Sequence, residues 1–270
     1  MSRQWGLDTT SLQLEAKELE LVTGRDGRLV ELGEGAYAVV YLGSLSGAQV
    51  AVKVYELDHG MDASVMWREA AMLRDAVHDH IVPLYGVAVK GRMVMLAMKL
   101  MRGGTLRAAL QQADKREALR WRAGGRQAAL EVASALVFLH TELNVLHSDL
   151  SSSNVLLDAG LTASISDLGV ARFVGSSALS AGAFCLTHAA PEQVLGQRCT
   201  LTADIYSLGI LLVELTTQQA VTRRGGWRLP LAPQECSPAV LALIERCTAA
   251  DPLQRPPATQ VLQQLQEDVG

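Results

Sequence analysis

The sequence has few features that would direct the chain to a membrane or to an oxidising compartment. Its four cysteines form no Cys-x-x-Cys pair, and neither Asn144 nor Asn154 begins a glycosylation sequon. The first residues lack the apolar core of a signal peptide, and Ser2 stands where N-myristoylation requires a glycine. We therefore expect a reducing, intracellular, cytoplasmic setting.

Long apolar runs and blocks of like charge are also missing. The longest apolar stretches, 93–101 and 205–215, are interrupted by Lys99, Ser207 and Glu214, so neither is expected to span a bilayer. The net charge of -4 provides no broad basic surface for a nucleic-acid backbone. The sequence predicts a soluble protein that binds neither nucleic acid nor membrane, and no pattern in it specifies an oligomeric state.

What the sequence does contain is an ordinary globular composition. Of its 270 residues, 49% are hydrophobic and 19% are charged, which is typical of chains that fold nearly throughout. This length is sufficient for one large domain or for two lobes that share a cleft.

The first part of the chain predicts a small antiparallel sheet with one helix. Residues 29–43 place β-branched and aromatic side chains on both sides of a Gly33-x-Gly35 turn, which is typical of a hairpin. A second turn is expected from Gly43 to Gly47. Leucines in 12–21 favour either a helix or a strand. Further strands are predicted at 49–55, 81–90 and 93–98, and a helix at 62–76.

The glycines of the first hairpin admit two phosphate-binding interpretations. Gly33-x-Gly35-x-x-Ala38 satisfies the loose Gly-x-Gly-x-x-Gly/Ala pattern of dinucleotide-binding oxidoreductases, but that turn must begin a helix. Here 39–41 continues as a strand, which favours a flap over phosphates. The plain alternative is a hairpin in which glycine supplies a positive φ.

Lys53 is the first candidate for phosphate binding. It lies within the apolar strand 50–54, where a lysine cannot stay charged without an anionic partner. Glu69, at the centre of the predicted helix, is the candidate partner, and a paired Lys53 would contact the phosphates of a nucleotide. The alternative is that Glu69 is simply a solvated helix residue.

The sequence His-Ser-Asp-Leu-Ser-Ser-Ser-Asn, from His147 to Asn154, has the layout of a phosphoryl-transfer site together with Asp167. Asp149 would orient a hydroxyl nucleophile, while Asn154 and Asp167 would hold Mg²⁺ against nucleotide phosphates. The alternative is a polar turn, because Ser and Asn are ordinary turn residues.

The second part of the chain predicts a mainly helical lobe after an extended connector. The connector 99–106 ends in glycines, and its backbone would hydrogen-bond an adenine ring. The small, polar residues 169–189 predict a mobile loop. Helices are predicted at 105–113, 126–142, 202–216, 237–249 and 259–267.

In this order, the motifs resemble those of a protein kinase catalytic domain, from about Leu29 to Leu265. The matching residues are the glycine-rich loop at 33–40, the Lys53 and Glu69 pair, Asp149, Asn154, Asp167, and Ala190-Pro191-Glu192 with Arg255 as the expected partner of Glu192. The motifs Asp-Ile-Tyr-Ser-Leu-Gly, from Asp204, and Asp-Pro-x-x-Arg-Pro, from Asp251, resemble the tyrosine-kinase-like group of serine/threonine kinases.

The resemblance implies an α+β bilobal fold, with a small five-stranded antiparallel sheet plus one helix and a larger, mainly helical C-terminal lobe. It sets 1–28 apart as an N-terminal extension and divides 29–270 into an N-lobe (29–98), a hinge (99–104) and a C-lobe (105–270). ATP, Mg²⁺ and protein substrates would be the partners. Met98 would be the gatekeeper of the adenine pocket, and the implied nucleotide-binding residues are Leu32, Gly33, Gly35, Val40, Ala51, Lys53, Met98, Lys99, Met101 and Leu156.

Besides the milder changes at Ala38 in the glycine-rich loop and at Leu168 after Asp167, three residues depart from the family pattern. Ser148 replaces the arginine that pairs with a phosphorylated activation loop, so we expect activity that does not require loop phosphorylation. Ser151 replaces a lysine, and Cys185 replaces a hydroxyl that would bond Asp149. These losses predict slow catalysis or an unusual acceptor. Besides the serine/threonine kinase, a pseudokinase scaffold stays open as the alternative, with tyrosine specificity and the oxidoreductase less favoured.

Overall fold

The computed structural model describes residues 12–35, 38–57, 63–173, 185–222 and 236–268. The chain divides into two compact units. The first comprises Met1–Val77 and Val82–Met101, and the second comprises His78–Ile81 and Arg102–Gly270.

The first unit is a six-stranded antiparallel sheet with one helix, α1 (Ala63–Asp75). The strand order is β1-β3-β4-β6-β5, and β2 pairs with β3. The strands are β1 (Leu19–Leu21), β2 (Glu31–Glu34), β3 (Val39–Leu45), β4 (Ala48–Glu56), β5 (Leu84–Lys90) and β6 (Met93–Lys99). The five predicted strands are confirmed, and β1 is a sixth. It comes from the segment where helix and strand were both open, so the interval 1–28 contributes to the sheet.

Residue alternation along β4 divides the sheet into two faces. Val50 and Val52 point to one face, where they pack with Leu19, Met95 and Ala97 in an apolar cluster. The odd-numbered residues of β4, including Lys53, therefore point to the opposite face. The apolar cluster holds the strand in place, so the lysine has a fixed position.

The turn between β3 and β4 is tighter than the sequence predicted. It consists of Ser46 and Gly47, whose φ angles of 49° and 87° are those of a two-residue hairpin turn. Gly43 lies inside β3, and the prediction of a turn beginning there was wrong. A Cβ at Gly43 would overlap the Val52 side chain, so this glycine serves close packing between strands.

The second unit is mainly helical, as predicted. Its α-helices are α2 (Leu106–Ala109), α3 (Ala113–Ala118), α4 (Arg126–Thr141), α5 (Pro191–Val194), α6 (Thr202–Thr217), α7 (Pro238–Cys247) and α8 (Ala258–Glu267). The single helix predicted at 105–113 was wrong in extent, because the backbone at Gln112 is extended with a ψ of 124° and separates α2 from α3. Among the described residues, no helix has the length and apolarity needed to cross a membrane.

Helix α6 lies in the centre of the second unit. Every residue from Ala203 to Thr216 except Tyr206 is buried, which confirms the prediction drawn from its nearly continuous apolar sequence. Gly209 permits the close approach of α7, since a Cβ there would lie 2.6 Å from Thr248 Cγ2 and 2.9 Å from Cys247 Cβ. The helix is therefore a rigid support for any group bonded to it.

Two small sheets frame the segment 147–154. The strands β7 (Gly104–Thr105), β9 (Val155–Leu157) and β10 (Ala163–Ile165) form one, and β8 (Val145–Leu146) pairs with β11 (Arg172–Phe173) in the other. Because β8 ends at Leu146 and β9 begins at Val155, both ends of the intervening loop are fixed by strand pairing.

Candidate active site

The loop 147–154 is anchored by the carboxylate of Asp204, near the start of α6. Asp204 Oδ2 accepts the N–H of His147 at 2.8 Å, and Oδ1 accepts the N–H of Ser148 at 3.0 Å. The His140 ring lies 2.9 Å from Oδ2 through Nε2. With only 1% of Asp204 exposed, these bonds are made in a low-dielectric setting, where they are strong.

Ser148 adopts a left-handed conformation, with a φ of 71°. This conformation costs about 1–2 kcal/mol for a residue other than glycine. It is retained because both backbone groups are bonded: the N–H to Asp204 and the C=O to Gln193 Nε2 at 2.9 Å. The bend at Ser148 determines how the next residue, Asp149, is presented.

Both oxygens of Asp149 are held by hydrogen bonds. Oδ1 accepts the backbone N–H of Cys185 at 2.7 Å, and Oδ2 accepts Asn154 Nδ2 at 2.9 Å. Burial raises the pKa of the Asp149 carboxyl, and the Asp167 charge raises it too, whereas the bonds from Cys185 and Asn154 act in the opposite direction. The carboxylate is thereby fixed in orientation and made more basic.

Asn154 is oriented for an oxygen ligand. Its Nδ2 donates to the Asp149 backbone O at 2.8 Å as well as to Oδ2, so the amide nitrogen is committed and the oxygen is the group that can bind a cation. The backbone carbonyl oxygen of Asn154 accepts two hydrogen bonds from Ser166, one from its N–H at 2.8 Å and one from its hydroxyl at 2.9 Å. These bonds connect Asn154 to the residue immediately before Asp167.

Asp167 has a φ of 62°, a left-handed conformation that aspartate tolerates better than most residues. Its charge acts on Asp149, which places the two carboxylates in one electrostatic environment. The carboxylate of Asp167 and the amide oxygen of Asn154 are hard oxygen donors of the kind that Mg²⁺ prefers, usually with phosphate and water completing the shell. In the described part of the chain, no group of three or more His, Cys, Asp or Glu side chains is placed to hold a metal ion.

The two departures near the acceptor differ in their structural effect. Cys185 lacks the hydroxyl of the family pattern, but its backbone N–H donates to Asp149 Oδ1 at 2.7 Å, so Asp149 keeps one hydrogen bond from this residue. The predicted effect of the missing hydroxyl on catalysis stays a prediction. Ser151 is 1% exposed, and its hydroxyl has no hydrogen-bond partner among the described residues. At Ser151 the described residues provide no substitute for the charge of the lysine that the family resemblance implies.

The first unit forms the ion pair that the sequence suggested. Lys53 Nζ lies 2.8 Å from Glu69 Oε1 and 3.0 Å from Oε2. The side chains are 11% and 1% exposed, so the solvated alternative for Glu69 is excluded. The role of the pair in phosphate binding stays a prediction.

Tyr55 also donates its hydroxyl to Glu69 Oε2, a contact that the sequence analysis missed. Burial and the Glu69 carboxylate raise the pKa of Tyr55, so its hydroxyl stays a donor. The available signal was strand alternation, because Tyr55 follows Lys53 by two residues and therefore points to the same face.

Sheet register brings together several of the other predicted nucleotide-binding residues. Val40 lies opposite Lys53, and Ala51 lies opposite Met98, so these four side chains share one face. Gly33 lies opposite Val40 on β2. Their common face is the one that carries the Lys53–Glu69 pair.

The remaining predicted residues lie elsewhere in the two units. Leu32 is 46% exposed, Gly35 donates its N–H to Ala38 O at 2.8 Å, and Lys99 donates its N–H to Pro83 O at 3.1 Å. Met101 is buried in the first unit, whereas Leu156 lies on β9 in the second. The tip of the glycine-rich loop, 36–37, and most of the predicted mobile loop, 174–184, lie outside the described residues.

The pair of Glu192 and Arg255 also forms. The two terminal nitrogens of the guanidinium lie 2.6 Å and 2.9 Å from the two oxygens of Glu192. The guanidinium carbon lies 5.0 Å from the centre of the Tyr206 ring. Such a buried bidentate pair fixes the start of α5 relative to α6 and to the segment before α8.

Comparisons with known proteins agree with this geometry. The family model described as protein tyrosine and serine/threonine kinase matches residues 28–265. A probable serine/threonine-protein kinase of Dictyostelium discoideum is 28% identical over 247 residues, which cover 86% of this chain and 26% of the relative. The Arabidopsis thaliana receptor-like serine/threonine-protein kinase ALE2 is 35% identical over 208 residues, covering 74% of this chain and 27% of the relative.

A third relative, the U-box domain-containing protein 70 of Oryza sativa subsp. japonica, is 31% identical over 215 residues, covering 76% of this chain and 26% of the relative. The chain thus spans about a quarter of the length of the curated relatives it matches.

Proposed function

The chain belongs to the protein tyrosine and serine/threonine kinase family, and we propose that it transfers the γ-phosphate of ATP to serine or threonine hydroxyls of protein substrates. The observation that supports this function most strongly is the fixed carboxylate of Asp149, bonded on one oxygen by Cys185 N–H and on the other by Asn154. This side chain has the orientation and the environment of a group that receives a proton.

Asp149 would orient the acceptor hydroxyl and take its proton as the bond to phosphorus forms. The two hydrogen bonds prevent rotation of the carboxylate, so the basic oxygen keeps one direction during the reaction. Burial raises the pKa of Asp149, and a stronger base accepts the hydroxyl proton more readily.

Asn154 and Asp167 would hold Mg²⁺, which supplies positive charge that neutralises the charge developing on the transferring phosphoryl group. The commitment of Asn154 Nδ2 to Asp149 directs the amide oxygen to that purpose. In the first unit, Lys53 would bind the nucleotide phosphates as a point charge. Glu69 would keep Lys53 extended and charged, and the hydroxyl of Tyr55 would keep Glu69 in place.

Serine and threonine are proposed as acceptors because two of the matched relatives are named serine/threonine-protein kinases. The sequence Leu186-Thr187-His188-Ala189 also lacks the Lys-Trp approach that tyrosine kinases show before Ala-Pro-Glu. An intracellular setting is part of the proposal, since ATP and reduced thiols occur together there.

The deciding experiment is transfer of labelled γ-phosphate from ATP·Mg²⁺ to a generic protein substrate, with Asp149→Ala as the test variant. Loss of the general base should reduce the rate by roughly 10² to 10⁴. Asp114→Ala, on the exposed surface of α3, is the matched control and should leave the rate unchanged. Phosphoamino-acid analysis of the product identifies the acceptor class. Equal transfer by wild type and Asp149→Ala would refute the proposal.

A pseudokinase is the second candidate, and the observation that favours it is the buried Ser151, whose hydroxyl has no hydrogen-bond partner in the part of the chain that the structure describes. A lysine at this position would stabilise the transferring phosphate, whereas a serine supplies no charge. ATP·Mg²⁺ binding measured by calorimetry, together with absent transfer by the wild-type chain, would support a nucleotide-binding scaffold over a kinase.

A further inference from the structure

A second cluster of reactive side chains includes Cys185, the residue whose backbone N–H bonds Asp149. Cys185 Sγ lies 3.1 Å from Thr187 Oγ1 and 3.8 Å from His188 Nδ1. Thr187 Oγ1 lies 2.9 Å from the same Nδ1. On the other side of the ring, His188 Nε2 lies 3.2 Å from Glu214 Oε2 on α6. A thiol, a hydroxyl, an imidazole and a carboxylate are thus placed in sequence.

The donors and acceptors of this cluster are consistent with one protonation pattern. An imidazolium at His188 donates through Nε2 to Glu214 and through Nδ1 to Thr187. The Thr187 hydroxyl then donates its own hydrogen to Cys185, which accepts it as a thiolate. The second oxygen of Glu214 accepts the N–H of Val221 at 2.8 Å, so its lone pairs are used as well.

The backbone of His188 is fixed by a further hydrogen bond, and its side chain is buried. The hydroxyl of Ser207 donates to the His188 carbonyl at 2.9 Å, and His188 and Glu214 are 1% and 0% exposed. Cys185 itself is partly exposed, as is Thr187, whereas His188 and Glu214 are buried. This combination of an accessible thiol and a buried cationic partner is typical of reactive cysteines.

The electrostatic environment acts in the same direction. The hydrogen bond from His188, followed by that from Thr187, lowers the pKa of Cys185 to about 7 although burial opposes the shift. Burial alone would lower the pKa of His188, but the bonds to Cys185 and Glu214 raise it to about 9. Among the described residues, the titratable groups that face Cys185 are His188 and Asp149, and those that face His188 are Cys185 and Glu214.

We propose that Cys185, activated by Thr187, His188 and Glu214, is a covalent modification site that reacts with hydroperoxides and other small electrophiles. The thiolate attacks the terminal oxygen of the peroxide, an S–O bond forms, and the O–O bond breaks with its electron pair leaving on the departing oxygen. That oxygen takes the proton from His188 through Thr187, giving water or an alcohol, a sulfenic acid at Cys185 and a neutral imidazole. Sulfur is oxidised by two electrons and the peroxide is reduced by two.

The site stands independently of phosphotransfer, but its position gives modification a consequence for the proposed kinase. The residue whose sulfur is oxidised is the one whose N–H holds Asp149 at 2.7 Å. Resting on the proposed function, we expect oxidation of Cys185 to lower the phosphotransfer rate and a thiol reductant to restore it, because sulfenic acid formation is reversible.

The test follows the chemistry of the thiol directly. Wild-type protein is alkylated with iodoacetamide between pH 6 and pH 9, and each cysteine is quantified by mass spectrometry. Cys236 is the internal control, since burial raises its pKa to about 11 although it too is partly exposed. Cys185 should react at least roughly tenfold faster than Cys236 at pH 7, with a midpoint near pH 7. A midpoint at or above pH 8, or no advantage over Cys236, would overturn the proposal.

Two variants test the activating groups. Glu214→Gln keeps an oxygen for Val221 N–H but removes the charge, and Thr187→Val removes the hydroxyl at nearly constant shape. Each should move the Cys185 midpoint upward and slow its alkylation at pH 7 by roughly tenfold, the effect of returning to an ordinary thiol. Circular dichroism shows whether each variant folds, and if Glu214→Gln does not, Thr187→Val alone is used. An unchanged midpoint would refute the proposal that these residues activate Cys185.

Oxidation is examined with hydrogen peroxide in the presence of dimedone, which traps sulfenic acids. An adduct on Cys185 is expected, and Cys185→Ser should remove it. The absence of an adduct on Cys185 would refute the oxidation step. Because both readouts are chemical, this inference can fail while phosphotransfer succeeds, and it can succeed in a protein that transfers no phosphate.

Discussion

Both carboxylate oxygens of Glu69 lie within hydrogen-bonding distance of the Lys53 ammonium, at 2.8 Å and 3.0 Å. The lysine is on a central strand and the glutamate is on α1, so the pair fixes the helix against the sheet. An uncompensated charge at this depth is costly, which means that each residue depends on the other. The position of α1 therefore determines whether Lys53 can extend to a phosphate.

Replacement of Lys53 should lower the phosphotransfer rate while the protein still folds. In Lys53→Met we expect the phosphotransfer rate to fall by roughly 10² to 10³, because the cation that stabilises phosphate charge is lost. Lys90→Met, at the exposed end of β5, is the matched control and should retain the wild-type rate. Rates are measured at saturating ATP alongside thermal unfolding. Wild-type turnover by a folded Lys53→Met protein would contradict the role proposed for Lys53.

The anchor at Asp204 gives a prediction for both stability and activity. In Asp204→Asn one carboxylate oxygen becomes an amide nitrogen, a donor that faces the N–H of either His147 or Ser148, since these bond different oxygens. We expect a loss of about 1–3 kcal/mol in the free energy of unfolding, since one buried donor is left without an acceptor. The phosphotransfer rate should fall too, because Asp149 is presented by this bend.

Urea unfolding and phosphotransfer are measured on the same samples. Asp251→Asn is the matched control, because Asp251 caps the short 3-10 helix that follows it by accepting Leu253 N–H at 3.0 Å and asparagine caps a helix equally well. An equal, small effect of both substitutions would show that Asp204 does not hold the loop.

Sequence reasoning found those parts of the fold and the site that depend on local pattern. Strand alternation and turn residues were sufficient for five strands. The charge in an apolar strand indicated that Lys53 needs an anionic partner, and the order of the other motifs was required to choose Glu69, a pair that the structure contains. The register that places Ala51 opposite Met98 was not predicted. It follows from strand order, which local patterns do not encode.

What the sequence could not provide were contacts between segments far apart in the chain. The N–H of Cys185 bonds Asp149, 36 residues away, and only a folded backbone brings a main-chain donor there. For the same reason the sequence did not reveal that the backbone of Cys185 supports Asp149 although its side chain lacks a hydroxyl. The pairing of His188 with Glu214, 26 residues apart, was missed because neither residue belongs to a recognisable spacing.

The replacement of arginine by Ser148 predicts that activation-loop phosphorylation is not required for turnover. Both backbone groups of Ser148 are already bonded, to Asp204 and to Gln193, so the loop at Asp149 is held without a phosphate. Phosphatase-treated protein should transfer phosphate at a rate within about twofold of the untreated protein.

Mass spectrometry must confirm that Thr187 and the residues Ser176, Ser177 and Ser180, which lie outside the described ranges, carry no phosphate. Untreated protein incubated in parallel without phosphatase is the control. Turnover that disappears on dephosphorylation and returns on rephosphorylation would show that the hypothesis is wrong.

The contacts of the Arg255 guanidinium predict how much stability is lost when this buried arginine is replaced. It bonds both oxygens of Glu192 and also the carbonyls of Ala249 and Thr202. In Arg255→Lys a single ammonium cannot reach all of these acceptors, and we expect a loss of about 2–4 kcal/mol in the free energy of unfolding. The exposed Arg120→Lys, whose partner Glu117 lies at 3.0 Å, should change stability by less than about 0.5 kcal/mol. Equal costs at both sites would contradict this account.

The shifted pKa values of Cys185 and His188 predict how the stability of the folded protein changes with pH. A raised pKa at His188, about 9 against an ordinary 6.5, contributes stability that is complete below pH 6.5 and is lost as pH rises through 9. A lowered pKa at Cys185, about 7 against 9.0, contributes stability that is complete above pH 9 and is lost as pH falls through 7. Between pH 7 and pH 9 the two changes of stability with pH cancel, because the folded and unfolded states each bind one proton at these two residues. The folded protein binds it on His188, and the unfolded chain binds it on Cys185.

Cys185→Ser should disturb this balance. Without the thiol, the pKa of His188 loses the contribution of Cys185 but is still raised by Glu214. The folded variant then binds more protons than its unfolded chain above pH 6.5, so it should become less stable than wild type as pH rises from 7, over a narrower pH range than the wild-type His188 pKa would give. Urea unfolding at pH 6.5, 7.5 and 8.5 measures the difference, and Cys199→Ser, at another partly exposed cysteine, should show a difference that is constant with pH. A constant difference for Cys185→Ser as well would mean that the folded protein holds Cys185 as an ordinary thiol and His188 as a neutral ring.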